Sequence, residues 1–227
     1  MQLLSAEFLN HQILKSKLIM TIVLPTSYFP PVYYFLKIFK AESIIIERFE
    51  NYPKQTYRNR CAIYGANGPL TLTIPVTKGN EIKVYTKDIK IDYASNWRKI
   101  HLKALESAYQ NSPYYQFYID EFLPIINRNF TFLYDLNFNL IECLFQIVGI
   151  NPVVNETEEY IHKYPPEIED YREAIHPKER KWNLEILENS IEYHQVFDMK
   201  HGFLPNLSII DLLFNMGPES KDILGVR

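Results

Sequence analysis

Glycine and cysteine are scarce in this chain, and their scarcity excludes several kinds of site. The 227 residues include 7 glycines and 2 cysteines. Neither the Walker A pattern nor the dinucleotide-binding fingerprint occurs, which excludes a glycine-rich phosphate loop. Cys61 and Cys143 follow no metal or redox spacing, so we expect two reduced, buried thiols. The histidines show no metal-ligand spacing either, so the sequence predicts no metal site and identifies no cofactor.

Excess positive charge and long apolar runs are also missing. With 24 basic and 27 acidic residues the net charge is -3, which argues against a general nucleic-acid-binding protein. The apolar run at residues 18–24 is far shorter than the roughly 20 residues that a membrane span needs. No small-residue cleavage site follows it. We interpret this run as a buried strand and expect a cytoplasmic protein.

The chain is rich in the residues that build a core. Hydrophobic residues make up 47% and aromatic residues 15% of it, and its length suits one large domain, with or without an appendage. Met20 stands where the first strand begins. We therefore expect residues 1–19 to be an extension from an upstream start codon that adds little to the core. Residues 20–227 then form a single domain, and the choice between Met1 and Met20 as the true start is open.

The beginning of that domain predicts a βαβ unit. Residues 21–24 form a short apolar run, and Pro31 is well placed as the first residue of a helix. Apolar residues at helical spacing follow between Val32 and Phe39, with lysines off the stripe. Residues 43–46 are continuously apolar, as in a strand that is covered on both faces. A strand, a short helix and a second strand imply parallel pairing with a right-handed crossover.

A hairpin follows the βαβ unit. Asn67-Gly68 lies between two strand-like runs and signals a type I′ turn, which requires positive φ at both central positions. The pattern becomes helical from residue 95 to residue 150, and one helix carries Trp97 and His101 on a single face. This order of elements predicts an α/β fold: a mixed sheet with an N-terminal parallel βαβ unit and an antiparallel hairpin, packed by several helices.

The last third of the chain gives weaker signals. Residues 151–200 are the least decided part, and residues 155–169 suggest a charged surface excursion more than a new domain. The tail is clearer, because Asn206 can cap a helix that Gly217 ends. Glu219 comes just after that helix, and it either approaches a ligand site or merely ends the helix.

A basic segment stands where the predicted sheet should bind ligands. Lys54, Arg58 and Arg60 come soon after the second strand, and in an open parallel sheet ligands bind at the carboxyl ends of the strands. Arg58 and Arg60 are two positions apart, so on a strand both guanidiniums leave the same face, where they can hold a carboxylate or phosphate. The alternative is a solvated strand start. We favour an anion site, and therefore an anionic small molecule as the partner; the oligomeric state is open.

Several motifs occur in an order that identifies a family resemblance. They are YFPPVYYF at 28–35, YRNRCAI at 57–63, LTLTIPVTKG at 70–79, Trp97 followed by His101, SPYYQFY at 112–118 and FLPNLSIIDLLFNMGPES at 203–220. In this order, and over nearly the whole chain, they resemble the WbqC-like protein family. Members of that family are encoded in bacterial O-antigen and other surface-polysaccharide clusters. The resemblance implies a biosynthetic role but no particular reaction, because the family's activity is not established.

Two departures from the family pattern bear on the site. Many members carry a Gln just before the Tyr-aromatic-Pro segment, where this chain has Pro25-Thr26-Ser27. If that Gln contacts substrate, Thr26 or Ser27 must replace it. Longer members also hold an extra α/β segment in the region where this chain has only residues 151–200.

Five residues are candidates for holding the substrate. Asn59 and Arg60 rank first because they match the family's Asn-Arg step. As neighbours on a strand they point to opposite faces, so a bulge is needed for both to reach one ligand. Lys54 would add a positive charge, and Tyr28 and Tyr57 could stack on a sugar or a base. The alternative for the two tyrosines is a place in the core or at its rim.

His101 is the candidate catalytic residue, because imidazole titrates near working pH and can act as a general acid or base. The alternative is a core histidine whose ring is satisfied by a backbone carbonyl. The function that we predict is a cytoplasmic biosynthetic transferase acting on an anionic nucleotide-sugar, acyl or aminoacyl substrate in surface-polysaccharide metabolism. The alternative is a non-enzymatic binding protein of the same pathway. A transferase predicts a closed pocket at the strand ends, whereas a binding protein predicts a shallow surface with His101 buried among aromatic rings.

Overall fold

The computed structural model describes residues 20–77, 83–178 and 191–225, and the expectation for residues 1–19 lies outside these ranges. The strands are β1 Thr21–Pro25, β2 Ser43–Glu47, β3 Arg60–Gly65, β4 Gly68–Thr73, β5 Val76–Thr77, β6 Lys90–Ile91, β7 Val153–Glu156 and β8 Ile168–Asp170. The helices are α1 Val32–Lys40, α2 Trp97–Tyr109, α3 Tyr115–Asn127, α4 Leu133–Val148, α5 Asp198–His201, α6 Ile209–Met216 and α7 Ser220–Leu224. Short 3-10 helices occupy Thr86–Asp88 and Gly217–Glu219.

A four-stranded parallel sheet forms the centre of the fold, in the order β7-β2-β1-β8. The two central strands are joined by α1, which confirms the predicted βαβ unit. Three consecutive residues of β1, Ile22, Val23 and Leu24, have no exposed surface, so both faces of this strand are covered, as in other parallel sheets. The predicted α/β class is confirmed: a parallel sheet, an antiparallel hairpin and several helices.

The two outer strands come from the region that the sequence left undecided. The predicted surface excursion at residues 155–169 begins inside β7, which runs from Val153 to Glu156, and ends inside β8, which runs from Ile168 to Asp170. These strands have four and three residues, and most of their side chains are exposed or half-buried. Strands of four and three residues are too short to show an alternation of apolar and polar side chains in the sequence.

The hairpin forms as predicted, but its turn is of another kind. Gly65 pairs with Gly68, so the turn residues are Ala66 and Asn67 instead of Asn67 and Gly68. Positive φ occurs at Gly68, at 105°, and not at Asn67, which contradicts the predicted type I′ turn. A glycine just after a turn is the position that a glycine bulge uses. Among the described residues, β3 and β4 pair with each other and do not join the parallel sheet.

The segment from residue 95 to residue 150, where the sequence pattern is helical, contains the three helices α2, α3 and α4. The predicted face of α2 is buried: Trp97 and His101 are 3% and 2% exposed, and Leu105 is fully buried. α4 ends at Gly149, whose φ of 70° lies in the left-handed region that glycine tolerates. No helix in the described part of the chain combines the length and apolar character that a membrane crossing requires.

The C-terminal segment caps a helix from the other end of the chain. Asn206 was predicted to cap α6, but Ser208 does so, its hydroxyl accepting from the Ile210 amide at 3.5 Å. Asn206 Oδ1 instead accepts from the Tyr33 amide at 3.0 Å, in the first turn of α1. The neighbouring amide of Val32 donates to the Leu207 carbonyl at 2.9 Å. Two of the free amides at the start of α1 thus find their acceptors in residues 206–207.

A network of buried charges closes the carboxyl edge of the parallel sheet. Glu47, the last residue of β2, has no exposed surface. Its carboxylate accepts hydrogen bonds from the Phe49 amide at 2.7 Å, the Thr157 hydroxyl at 3.0 Å and Arg172 Nη1 at 2.9 Å. Arg172 also binds Asp170, with Nη2 2.6 Å from Oδ2. Because Thr157 follows β7 and Asp170 ends β8, one carboxylate connects the ends of three strands.

Arg172→Met is expected to lower the free energy of unfolding by about 3–5 kcal/mol, because it leaves the Glu47 carboxylate buried without its guanidinium. Arg48→Met is the matched control at the same edge. It breaks the Arg48–Glu156 pair, in which both side chains are 35% exposed, and exposed ion pairs contribute only about 0–1 kcal/mol. Urea unfolding of both variants at neutral pH measures the difference. Equal losses would show that burial of the Glu47 charge is not what makes Arg172 important.

Candidate functional site

The basic segment does not lie on a single strand face. Lys54 is exposed, Arg58 is buried and Arg60 is half-buried. Gln55 has a positive φ of 62°, and β3 begins only at Arg60. Arg58 therefore precedes the strand, and the expectation that both guanidiniums leave one face of a strand is wrong.

The Arg58 guanidinium is already paired with a carboxylate of the protein itself. Its Nε and Nη2 lie 2.5 Å and 2.6 Å from the two carboxylate oxygens of Glu50, and Nη2 also donates to the Arg172 carbonyl at 3.3 Å. The side chains of Arg58 and Glu50 are 3% and 11% exposed. Planar, two-point pairing of this kind occupies the donor face that would otherwise hold a ligand. Arg58 thus extends the buried network of the sheet edge.

Asn59 and Arg60 carry neighbouring polar atoms that the fold leaves unsatisfied. Asn59 is 7% exposed and its Nδ2 donates to the Ile74 carbonyl at 2.9 Å. Its Oδ1 is buried and accepts no hydrogen bond from the described residues, and the same holds for Nε of Arg60 as a donor. Most buried polar side-chain atoms in proteins have a partner. The pairing of β3 with β4 starts at Arg60 and Thr73 without a bulge, so Asn59 Oδ1 and Arg60 Nε are two separate candidate contacts for a ligand.

Tyr28 and Tyr57 lie in the core beneath this segment. Tyr28 has no exposed surface and Tyr57 is 6% exposed. The Tyr28 amide donates to the Tyr57 carbonyl at 2.8 Å, and its hydroxyl lies 3.0 Å from Nδ1 of His101. Burial raises the pKa of both phenols. Their stacking on a ligand stays a prediction, and their position in this structure is the alternative that the sequence allowed.

His101 has both ring nitrogens engaged. Nε2 lies 3.2 Å from the Thr73 carbonyl, which can only accept, so Nε2 carries the proton and Nδ1 accepts from the Tyr28 hydroxyl. Burial lowers the pKa of His101 to about 4. The Trp97 ring meets it edge-on, with the centroids 5.2 Å apart. A neutral imidazole held in this way can exchange a proton with a ligand only if one of its hydrogen bonds breaks.

The structure connects some of the candidate residues and separates others. Tyr28, Tyr57 and His101 form one buried cluster. Arg60 pairs across the hairpin with Thr73, the residue whose carbonyl holds His101. Lys54 lies on the surface, outside this cluster. The candidates thus divide into a buried structural group and an accessible basic group next to it.

The family of the chain follows from comparison with known proteins. The profile of the WbqC-like protein family matches residues 26–174 and 165–223. This chain belongs to the WbqC-like protein family. It is also 26% identical, over 222 residues, to the uncharacterized protein Rv1507c of Mycobacterium tuberculosis, a match that covers 89% of this chain and 96% of that protein. No solved structure matches the chain. The resemblance seen in the motifs is confirmed, and neither match names a substrate or a reaction.

This WbqC-like protein also holds a buried carboxylate that the sequence did not single out. Asp211, in the first turn of α6, has no exposed surface. It accepts from the hydroxyls of Tyr109 and Tyr193 at 2.6 Å and 2.7 Å, and from Gln195 Nε2 at 3.1 Å. Burial raises the pKa of Asp211 to about 6, although these hydrogen bonds oppose the increase. Tyr109 is 102 positions away in sequence, so no local pattern pointed to this cluster.

His101 should make the WbqC-like protein less stable in acid. Between pH 6.5 and pH 4 the unfolded chain protonates this histidine whereas the folded protein does not. Its contribution to stability is present above that window and falls by about 3 kcal/mol as the pH decreases through it. His101→Gln lacks the titrating ring, so the difference between wild type and variant should change by this amount. Urea unfolding from pH 7 to pH 4 measures it, and parallel curves would contradict the assigned burial.

Asp211 should act in the opposite direction. Its pKa in the folded protein, about 6, lies above the ordinary value of 3.8, so the folded state keeps a proton that the unfolded chain has lost. The stability linked to that proton is present below pH 4 and falls by about 3 kcal/mol as the pH rises to 6. Wild type should therefore lose stability relative to Asp211→Asn across this range in urea unfolding. Asp222→Asn, which removes the same charge from an exposed position, controls for net charge, and a similar change there would count against Asp211.

Proposed function

We propose that the protein binds an anionic small molecule at Asn59 and Arg60, beside the carboxyl edge of its parallel sheet. The observation that carries this proposal is the pair of buried, unsatisfied atoms on adjacent residues, Asn59 Oδ1 and Arg60 Nε. An anionic ligand oxygen would accept from the Arg60 guanidinium, and the Asn59 oxygen is an acceptor for a hydroxyl or an amide. Exposed Lys54 adds a second positive charge nearby in sequence.

The charge balance around Arg60 supports the same function. Arg58 is neutralised by Glu50, whereas Arg60 forms no ion pair with the described residues. Its charge acts on Tyr52, where burial raises the pKa of the phenol to about 12 and Arg58 and Arg60 oppose the increase. A guanidinium that is half-buried and lacks a carboxylate is well suited to a planar anion such as a carboxylate or phosphate.

Of the two functions considered for this site, the geometry favours a binding protein. His101 is buried against aromatic rings with both nitrogens occupied, which is the arrangement expected of a core histidine. The ligand classes that we propose are nucleotide sugars and acyl or aminoacyl donors, in the surface-polysaccharide context that the family resemblance implies. A transferase acting on the same ligand is the second candidate, because α/β enzymes place their substrates at the carboxyl edge of a parallel sheet.

Arg60→Lys should leave folding nearly intact and weaken binding of the anionic ligand by about 1.5–3 kcal/mol, the range for charged hydrogen bonds. Lysine keeps the charge but lacks the planar fork. A thermal-shift screen of nucleotides, nucleotide sugars and acyl or aminoacyl donors finds the ligand, because a compound that binds only the folded state raises the melting temperature. Titration of wild type and variant then gives both dissociation constants.

Arg48→Lys is the matched control, since this arginine is already paired with Glu156 and lines neither proposed site. Equal affinity of wild type and Arg60→Lys would contradict the proposed site, as would a variant that unfolds. The same ligand separates the two candidate functions. A transferase would convert it in the presence of an acceptor, and His101→Gln would lose turnover more than affinity. A binding protein would release it unchanged.

A further inference from the structure

A cavity of about 660 Å³ lies at the N-terminal end of α2, apart from the Arg60 site. Its wall is formed by β6, by the connection at residues 93–96, by the first residues of α2 and by residues 129–131. None of the residues proposed to bind a ligand at Arg60 lines it. Small-molecule sites commonly have volumes of about 300–1,000 Å³, so the cavity is large enough for a sugar or a nucleotide.

The charged residues that line the cavity are both cationic. Lys90 is exposed and Arg98 is half-buried. Arg98 Nη2 donates to the Arg128 carbonyl at 2.7 Å and to Asn129 Oδ1 at 2.9 Å, which fixes the guanidinium in place. Its Nε is buried and donates to no acceptor among the described residues. A guanidinium that two hydrogen bonds hold in place, and that has no carboxylate partner among the described residues, is preorganised for an anion.

Aromatic rings form the second element of this site. The Arg98 guanidinium lies 4.5 Å from the centroid of the Tyr93 ring and 5.6 Å from that of Trp97. Tyr93 is 40% exposed, and its hydroxyl donates to the Phe130 carbonyl at 2.9 Å, so the exposed ring is held rigidly. Trp97 lines the cavity and is 3% exposed, and its Nε1 has no acceptor among the described residues. A fixed, exposed ring can stack on a flat or sugar ring at low entropic cost.

The start of α2 adds backbone donors to the same wall. The first intrahelical bond runs from the Ile100 amide to the Asn96 carbonyl at 3.2 Å, so the amides of Trp97 and Arg98 precede it. Asn96 makes no side-chain capping bond, and the first turn contains no acidic residue. Free amides and the positive end of the helix dipole both attract anions. The N-terminal end of α2, Arg98 and Lys90 therefore all contribute positive potential to the cavity.

We propose that this cavity is a second ligand site, for a small molecule that joins a carboxylate or phosphate to a ring. The anionic group would lie between Arg98, Lys90 and the first amides of α2. The ring would stack on Tyr93, and its hydroxyls would reach Asn96 and Asn129. An acidic sugar and a nucleotide share this chemistry, and the experiment below distinguishes them. The site does not depend on ligand binding at Arg60.

The Trp97 indole signal provides the measurement. The chain contains 2 tryptophans, so a ¹⁵N–¹H spectrum has two indole signals, and Trp182→Phe assigns them. The full chain is titrated with glucuronate and with uridine monophosphate, each compared with its neutral counterpart, glucose or uridine. A saturable shift of the Trp97 signal with one anion, absent or much weaker with its neutral counterpart, supports the site and identifies its ligand class. No saturable shift with either anion overturns the proposal.

Substitutions locate the response. Arg98→Gln should weaken the active anion by about tenfold or more, as expected for loss of a charged hydrogen bond. Lys90→Gln, at an exposed position, should weaken it less and keeps the test valid if Arg98→Gln does not fold. Lys99→Gln removes one positive charge from the residue that follows Arg98. Lys99 is exposed and does not line the cavity, so this variant should bind the anion with the affinity of wild type. Equal weakening by Lys99→Gln, or loss of the shift in Arg60→Lys, would overturn the proposal.

Discussion

The Glu47 carboxylate is the group on which the parallel sheet depends, because a charge with no exposed surface must be compensated inside the protein. Arg172 supplies the opposite charge, and Thr157 and the Phe49 amide supply the remaining hydrogen bonds. The strands that these contacts hold, β7 and β8, have only four and three residues. Strands this short form few backbone hydrogen bonds with their neighbours. The side-chain hydrogen bonds of residues just beyond their ends reinforce this pairing, so one buried network holds both outer strands in the sheet.

This network also determines where a ligand can bind. Arg58 lies near the strand ends where an open parallel sheet binds its ligands, but it is committed to Glu50. The part of the edge around Arg58 is thus occupied by the protein's own buried ion pairs. The positive charge that stays available in this segment belongs to Arg60 and Lys54, one at the start of the hairpin and one on the surface. The proposed site therefore lies beside the sheet edge instead of within it.

Two buried polar side chains connect α2 to the hairpin, and they lie about two helical turns apart along α2. His101 donates to the Thr73 carbonyl of β4, and the Tyr109 hydroxyl accepts from the Tyr64 amide of β3 while donating to Asp211. A helix fixed at both places keeps its first turn in a defined position. The cavity at Trp97 and Arg98 is built on that turn, so its geometry rests on contacts within the core.

The sequence by itself determined the βαβ unit and the buried face of α2, where the spacing of apolar side chains shows the pattern, and its motifs identified the family. It also singled out Asn59 and Arg60, whose unsatisfied atoms only the structure revealed. Tertiary structure decided the outer strands, the partner of Arg58, the helix that Asn206 caps and the two hydrogen bonds of His101. The physical reason is that periodicity records which face of a segment is buried. A polar side chain takes its partner from whatever the fold brings within hydrogen-bond distance, and for Tyr33 that partner is 173 positions away.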